Sequence, residues 1–339
     1  MKKLTQTILT FAMFALCAML AGGCTSKARM ARHQARADAY FASGDYSKAE
    51  VEYLIALRLD RANAHAISQL GEIYYLQGRF YPAYEYISKA CQVQTNNLDM
   101  HAKLGLIYVM GHKPKEAKAE AEFVLGQSPT NAEAPDILAE SVSSRAEVDE
   151  AQKRLEKLSK QIGDTAPLEL AFGILAFDRG DAKGAEAALQ RALTINPKYS
   201  LAYNSLGRLY MAQNKMKEAD AAFKKTAELA PPRSSGRLAY ANFKIETGDI
   251  AEGKRLMAEI SKETPDYVPA WIQQAEIAMM EKKFPDCSSL LDQALARDPD
   301  DYQALLLRGR LLLLEGHADD AAAEMDHMST LYPHSAQAL

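Results

Sequence analysis

Histidines and cysteines are the residues of this 339-residue chain best suited to metal or nucleophilic chemistry. The histidines are His33, His65, His101, His112, His317, His327 and His334. None pairs at i and i+4, the spacing that puts two imidazoles on one helix face to hold a metal. His101 and His112 fall near opposite ends of one expected helix. The stretch HADD (His317–Asp320) holds ligand-type residues, but its composition reads as a solvated turn. There is no HExxH, no GxSxG, and no phosphate-binding GxxxxGK followed by serine or threonine. We therefore expect a non-enzymatic protein with no metal and no cofactor. A formal net charge of −4 and a pI near 6.0 give no sign of a nucleic-acid partner.

Cys24 raises a different kind of chemistry. Met1, Lys2 and Lys3 form a positive start, Ile8 to Leu20 is almost wholly apolar, and Ala21, Gly22 and Gly23 precede the cysteine. The apolar run is shorter than the ~20 residues a membrane span needs, and the pattern reads as a secretory signal. It resembles the lipobox of bacterial lipoproteins, with Ala21 where that family prefers leucine. The resemblance implies cleavage after Gly23 and lipid on Cys24. Thr25, not aspartate, follows, which in that family favours the outer membrane of a Gram-negative envelope, facing the periplasm. An ordinary signal cut near Ala21, releasing a soluble periplasmic protein, is the alternative.

Beyond the signal, one period organises the chain. Blocks of 34 residues run without insertion from Met30: 30–63, 64–97, 98–131, 132–165, 166–199, 200–233, 234–267, 268–301 and 302–335. The eighth position is always small: Ala37, Gly71, Gly105, Ala139, Gly173, Gly207, Ala241, Ala275, Gly309. So is the twentieth: Ala49, Ala83, Ala117, Ala151, Ala185, Ala219, Gly253, Cys287, Ala321. Small residues at fixed offsets let two helices approach closely. Glycine at position 15 (Gly44, Gly78, Gly180, Gly248, Gly316) supplies a left-handed turn ending the first helix. Proline at position 32 of six blocks stops the second helix. Apolar residues at helical spacing fill the intervals.

This unit, clearest in LAYNSLGRLYMAQNKMKEADAAFKKTAELAP (Leu201–Pro231), resembles the tetratricopeptide repeat. The resemblance implies an all-α fold: an alpha-solenoid, a right-handed superhelix of about nine helix–turn–helix hairpins. The expected organisation is a signal over 1–23, lipidated Cys24 with a short tether over 24–29, nine repeats over 30–335 and a tail over 336–339. Block four, with Pro135, Ala146 for the turn glycine and the polar SVSSR, is a drifted repeat or a flexible division of the array. The array lacks an extra polar helix at its C-terminal end, so the last repeat is expected to be exposed, or the chain to be a piece of something longer. Repeats in such arrays contact only their neighbours, so Cys91 and Cys287, six repeats apart, are expected to stay reduced.

In that family, positions 2, 5, 9, 12 and 13 line the concave side. Early blocks place acids there: Asp38, Glu72, Asp99, Glu133, Asp136 and Glu140. Later blocks place a partner-binding groove of Leu170, Ile174, Phe177, Asn204, Arg208, Met211, Leu238, Asn242, Ile245, Ile272, Met279 and Leu313. The expected partners are proteins, held in this groove, and the membrane, through lipid on Cys24. The whole resembles the lipid-anchored scaffolds of exopolysaccharide export, pilus assembly and outer-membrane protein assembly. A regulatory module that activates a cell-wall enzyme, or the docking arm of a longer protein, are the rival expectations.

Overall fold

A computed structural model describes residues 26–332, and the regular structure among them is eighteen α-helices. Repeat one holds α1 (26–42) and α2 (Tyr46–Leu59); repeat two, α3 (Ala64–Leu76) and α4 (Phe80–Val93). Then come α5 (Leu98–Met110) and α6 (Pro114–Gln127), α7 (Ala134–Glu140) and α8 (Arg145–Ile162), and α9 (Ala166–Asp178) and α10 (Ala182–Ile195). The last four hairpins are α11 (Ser200–Ala212) with α12 (Met216–Leu229), α13 (Ser235–Glu246) with α14 (Ile250–Glu263), α15 (Val268–Met280) with α16 (Phe284–Leu295), and α17 (Tyr302–Glu315) with α18 (Ala318–Leu331). Cys24, the signal over 1–23 and the tail over 336–339 lie outside the described residues. Residues 26–29, expected in an extended tether, already belong to α1.

Helix starts are written into the sequence. The side chains of Asp45, Asn63, Asn97, Asp181, Asp249 and Asp301 each accept a hydrogen bond from a first-turn amide that would otherwise lack a partner. Proline opens α6, α9, α15 and α16, where its missing N–H costs nothing. In eight of the nine repeats position 15 then ends the first helix in a left-handed turn. The expected glycines are there with positive φ, and so are His112 (φ 52°), Asn214 (φ 59°) and Lys282 (φ 58°). The turn geometry is therefore kept where the glycine is not. Block four departs from it: α7 has only 7 residues, Ser141 Oγ donates to Leu138 O to close it, and Ser144 caps α8 by accepting from Glu147 N–H. The polar SVSSR is thus a stop and a start.

Within each hairpin the two helices touch where the small residues lie. A Cβ on Gly71 would come 2.7 Å from Ile87, on Gly173 2.8 Å from Leu189, and on Gly207 2.8 Å from the Phe223 ring. In these repeats position 8 is a socket for the side chain at position 24, whereas Gly105 faces Ile137 of the next repeat. Ala49, Ala83, Ala117, Ala185, Ala219 and Cys287 are fully buried at position 20 on the facing helix. Cys91 and Cys287 are buried free thiols, with burial raising them to about 12 and about 11.

The array does not stay open. Its early and late repeats meet, against the expectation of neighbour-only contact. Val268 N–H donates to Gln77 O at 3.0 Å, joining the start of α15 to the turn after α3. Gly78 lies against the Pro269 ring, Gln77 Nε2 approaches Asp266 at 3.4 Å, and Arg233 stacks over Tyr46 at 4.6 Å. Tyr81 of α4 meets Tyr332 edge-on at 5.2 Å, so α4 flanks the end of the last repeat, where solvent alone was expected.

Two substitutions test the hairpin. Gly207→Val drives a branched side chain into the Phe223 ring and should cost about 2 kcal/mol or more in a denaturant titration. Lys282→Gly relieves a lysine held left-handed and should stabilise by about 0.5–1 kcal/mol, the gain being reduced by the freer unfolded chain.

Candidate protein-binding groove

Three consecutive first helices, α9, α11 and α13, form the walls of a cleft of about 540 Å³ on the concave side. Phe177 comes from α9; Asn204, Arg208 and Met211 from α11; Ser235, Ala239, Asn242 and Glu246 from α13. The floor is Phe223 and Phe243, whose ring centroids stand 5.1 Å apart. Five of the twelve residues expected in the groove are brought together here. Ile174 belongs with Phe177, Glu140, Asp178 and Arg208 to a smaller adjoining cavity.

The rest go elsewhere. Leu170, Leu238 and Ile272 all occupy position 5 and are buried, at 1%, 3% and 2% exposure. Each belongs to a buried cluster that extends to the next repeat's first helix: Leu170's includes Ala202 and Leu206, Leu238's includes Ala270, and Ile272's includes Ala304 and Leu305. An apolar side chain at position 5 is core, and these three offer a partner nothing. Ile245 and Met279 are half-buried against the same cores. Leu313 is exposed, but lies outside the cleft. Ser235 at position 2 and Glu246 at position 13 line the cleft as well, with no apolar character to mark them in the sequence. The floor residues Phe223 and Phe243 carry no surface signal in the sequence.

The cleft joins apolar floor to polar rim. Arg208 is solvent-exposed and reaches Glu140 Oε1 at 3.7 Å, two repeats away. Asn204 Oδ1 is buried without a protein hydrogen-bond partner. A buried amide oxygen left unpaired carries a desolvation cost that an incoming N–H donor removes. Beside the cleft, Glu133, Asp136, Glu140 and Asp178 form an acidic wall. Glu133 and Glu140 touch solvent yet have protein on most sides. Burial raises all four carboxyls; for Asp136 burial, then Glu140 and Glu133, push it up to about 7, with Arg208 opposing. Burial raises Tyr75 and Tyr199 too, with the carboxylates of Glu133 and Asp136 adding to the shift.

Among the described residues no group of three or more His, Cys, Asp or Glu is placed to hold a metal ion. Gly248–Lys254 has the spacing GxxxxGK but follows it with Arg255. Asp249 already caps α14 there and Gly253 faces Ile245 inside the hairpin, so the helix start is taken by a carboxylate.

Asp136 makes the acidic wall testable. Its folded pKa is raised, so its contribution to stability is complete below the ordinary carboxylate range and is lost as pH rises through about 7. Asp136→Asn should therefore be the more stable protein at pH 8, by roughly 2 kcal/mol once solvent screening is allowed for. The advantage should shrink at pH 5; a gap equal at both values in urea titrations contradicts the shift.

Comparison with known proteins agrees with this geometry. Tetratricopeptide repeat models match residues 176–235 and 273–336, and a TPR repeat model matches residues 37–78. Superkiller complex protein 3 of Mus musculus is 26% identical over 247 residues, 70% of this chain; the match spans 16% of that protein's length. Among solved structures, a tetratricopeptide repeat protein from Parabacteroides merdae has a TM-score of 0.50 at 17% identity, covering 69% of this chain and 93% of the other. Yeast Tom70 has a TM-score of 0.48 at 16% identity, covering 91% of this chain and 77% of its own. Small-residue sockets, left-handed turns at position 15 and paired helices in 34-residue register, together with the three repeat-model matches, show tetratricopeptide repeats stacked as an alpha-solenoid.

Proposed function

We propose that this protein is a non-enzymatic, lipid-anchored periplasmic scaffold that assembles a complex at the outer membrane. The observation that carries the binding role is the cleft in which Phe177, Asn204, Arg208, Met211 and Asn242 converge from three repeats. An apolar floor with polar groups around it suits an extended or helical peptide segment: the rings bury side chains, while Asn204, Asn242 and Arg208 meet backbone and charged groups. The anchor rests on the positive start, the short apolar run and the small residues before Cys24. Exopolysaccharide export, pilus assembly and outer-membrane protein assembly are the kinds of machine such a scaffold serves.

Two experiments address the two halves. A photo-crosslinking residue at Met211 should capture a discrete envelope protein in cells, and Arg208→Glu with Asn242→Ala should reduce that product at least about tenfold. Equal capture with the double variant would place the partner elsewhere. Fed radiolabelled palmitate should appear on the protein and be lost in Cys24→Ala; label persisting in that variant rules out the anchor.

A further inference from the structure

We infer that the contact between early and late repeats is an intramolecular latch that closes the superhelix into a ring and gates entry to its lumen. The first amides of an α-helix have no partner within it. At α15 that vacancy is filled by Gln77 O of repeat two, and both residues are buried, Val268 fully and Gln77 to 3% exposure. Gly78 permits the approach: its φ is +71°, and a Cβ there would lie 2.4 Å from the Pro269 ring.

The seam is built differently from the cores it joins. Among the described residues, the buried apolar cluster of repeats one to three and that of repeats eight and nine are separate, and no cluster spans the contact. Polar and ring-edge contacts hold it instead: Gln77 to Asp266, Arg233 over Tyr46, Tyr81 against Tyr332. Among the described residues, the ion pair that crosses it is long. Arg79 Nε stands 4.0 Å from Asp298 Oδ1, and both that Nε and Asp298 Oδ2 are buried without a hydrogen bond. Arg79 is held on its own side by Glu50 at 3.0 Å, so the long pair recovers little of the desolvation cost of buried Asp298. The seam can therefore open while the hairpins stay folded, as the weakest cooperative boundary of the array. When closed, it makes the concave surface, with its acidic wall and cleft, the wall of a lumen. The gating role rests on the cleft being the binding site, but the experiment below uses no partner, so its failure leaves that reading standing.

Amide exchange of the full chain, followed by NMR, reads the latch at one atom. Val268 N–H should exchange at least about 100-fold more slowly than the first amides of α11 (Ser200) and α13 (Ser235). Arg233→Glu and, separately, Tyr81→Ala should each cut that protection about tenfold or more while Ala275, inside α15, keeps its own. The scattering radius of the variants should grow. Val268 exchanging as fast as Ser200 and Ser235 in the parent protein would overturn the latch. Protection lost equally at Ala275 would make the seam part of the core, also against the inference. Protection rising with protein concentration would assign the contact to a second copy of the chain.

Discussion

Close approach of two helices within a hairpin is the constraint on which this structure rests. Position 8 must leave room for the side chain at position 24. Where the incoming group is the Phe223 ring, the room is glycine, Gly207. The facing position 20 is no larger than alanine or cysteine for the same reason. Once each hairpin closes to that distance, its outer face has a fixed shape and the next hairpin can only stack in one way. The 34-residue register, the curvature of the array and the concave side all descend from it.

Curvature has a consequence that neighbour-by-neighbour reasoning does not contain. A small rotation per repeat accumulates, and over nine repeats it brings Gln77 to Val268 and Tyr81 to Tyr332. Arrays of this kind are well described as a sum of repeats and nearest-neighbour interfaces. Here a further term appears, between units five to seven repeats apart. It provides a neighbour for the last repeat and turns an open groove into a lumen. Charges such as Asp136 and Glu140 then face water without being free of the protein, which is why their carboxyls hold protons more tightly than ordinary ones.

The cleft illustrates how position and residue type divide the work. Position 5 is on the concave helix in every repeat, yet Leu170, Leu238 and Ile272 are drawn under the following repeat. Asn204 at the same position stays half-buried in the cleft. An apolar side chain at the edge of a stack gains by moving into the interface; an amide does not, and it stays where a ligand can reach it. Sequence reading favoured the apolar residues as the binding surface, and the structure reserves many of them for the stack.

The sequence by itself determined whatever depends on local geometry and on a period. Small residues at positions 8 and 20 forced the hairpin; side-chain caps and opening prolines set the helix starts; glycine at position 15 marked the left-handed turns, even where His112, Asn214 and Lys282 stand in. These are contacts within a few residues or within one repeat, so spacing alone reveals them. Which concave residues stay exposed, where Phe223 and Phe243 form a floor, and that repeat two meets repeat eight were decided only by the tertiary structure. Each depends on the summed rotation of many interfaces, and no single stretch of sequence carries that sum.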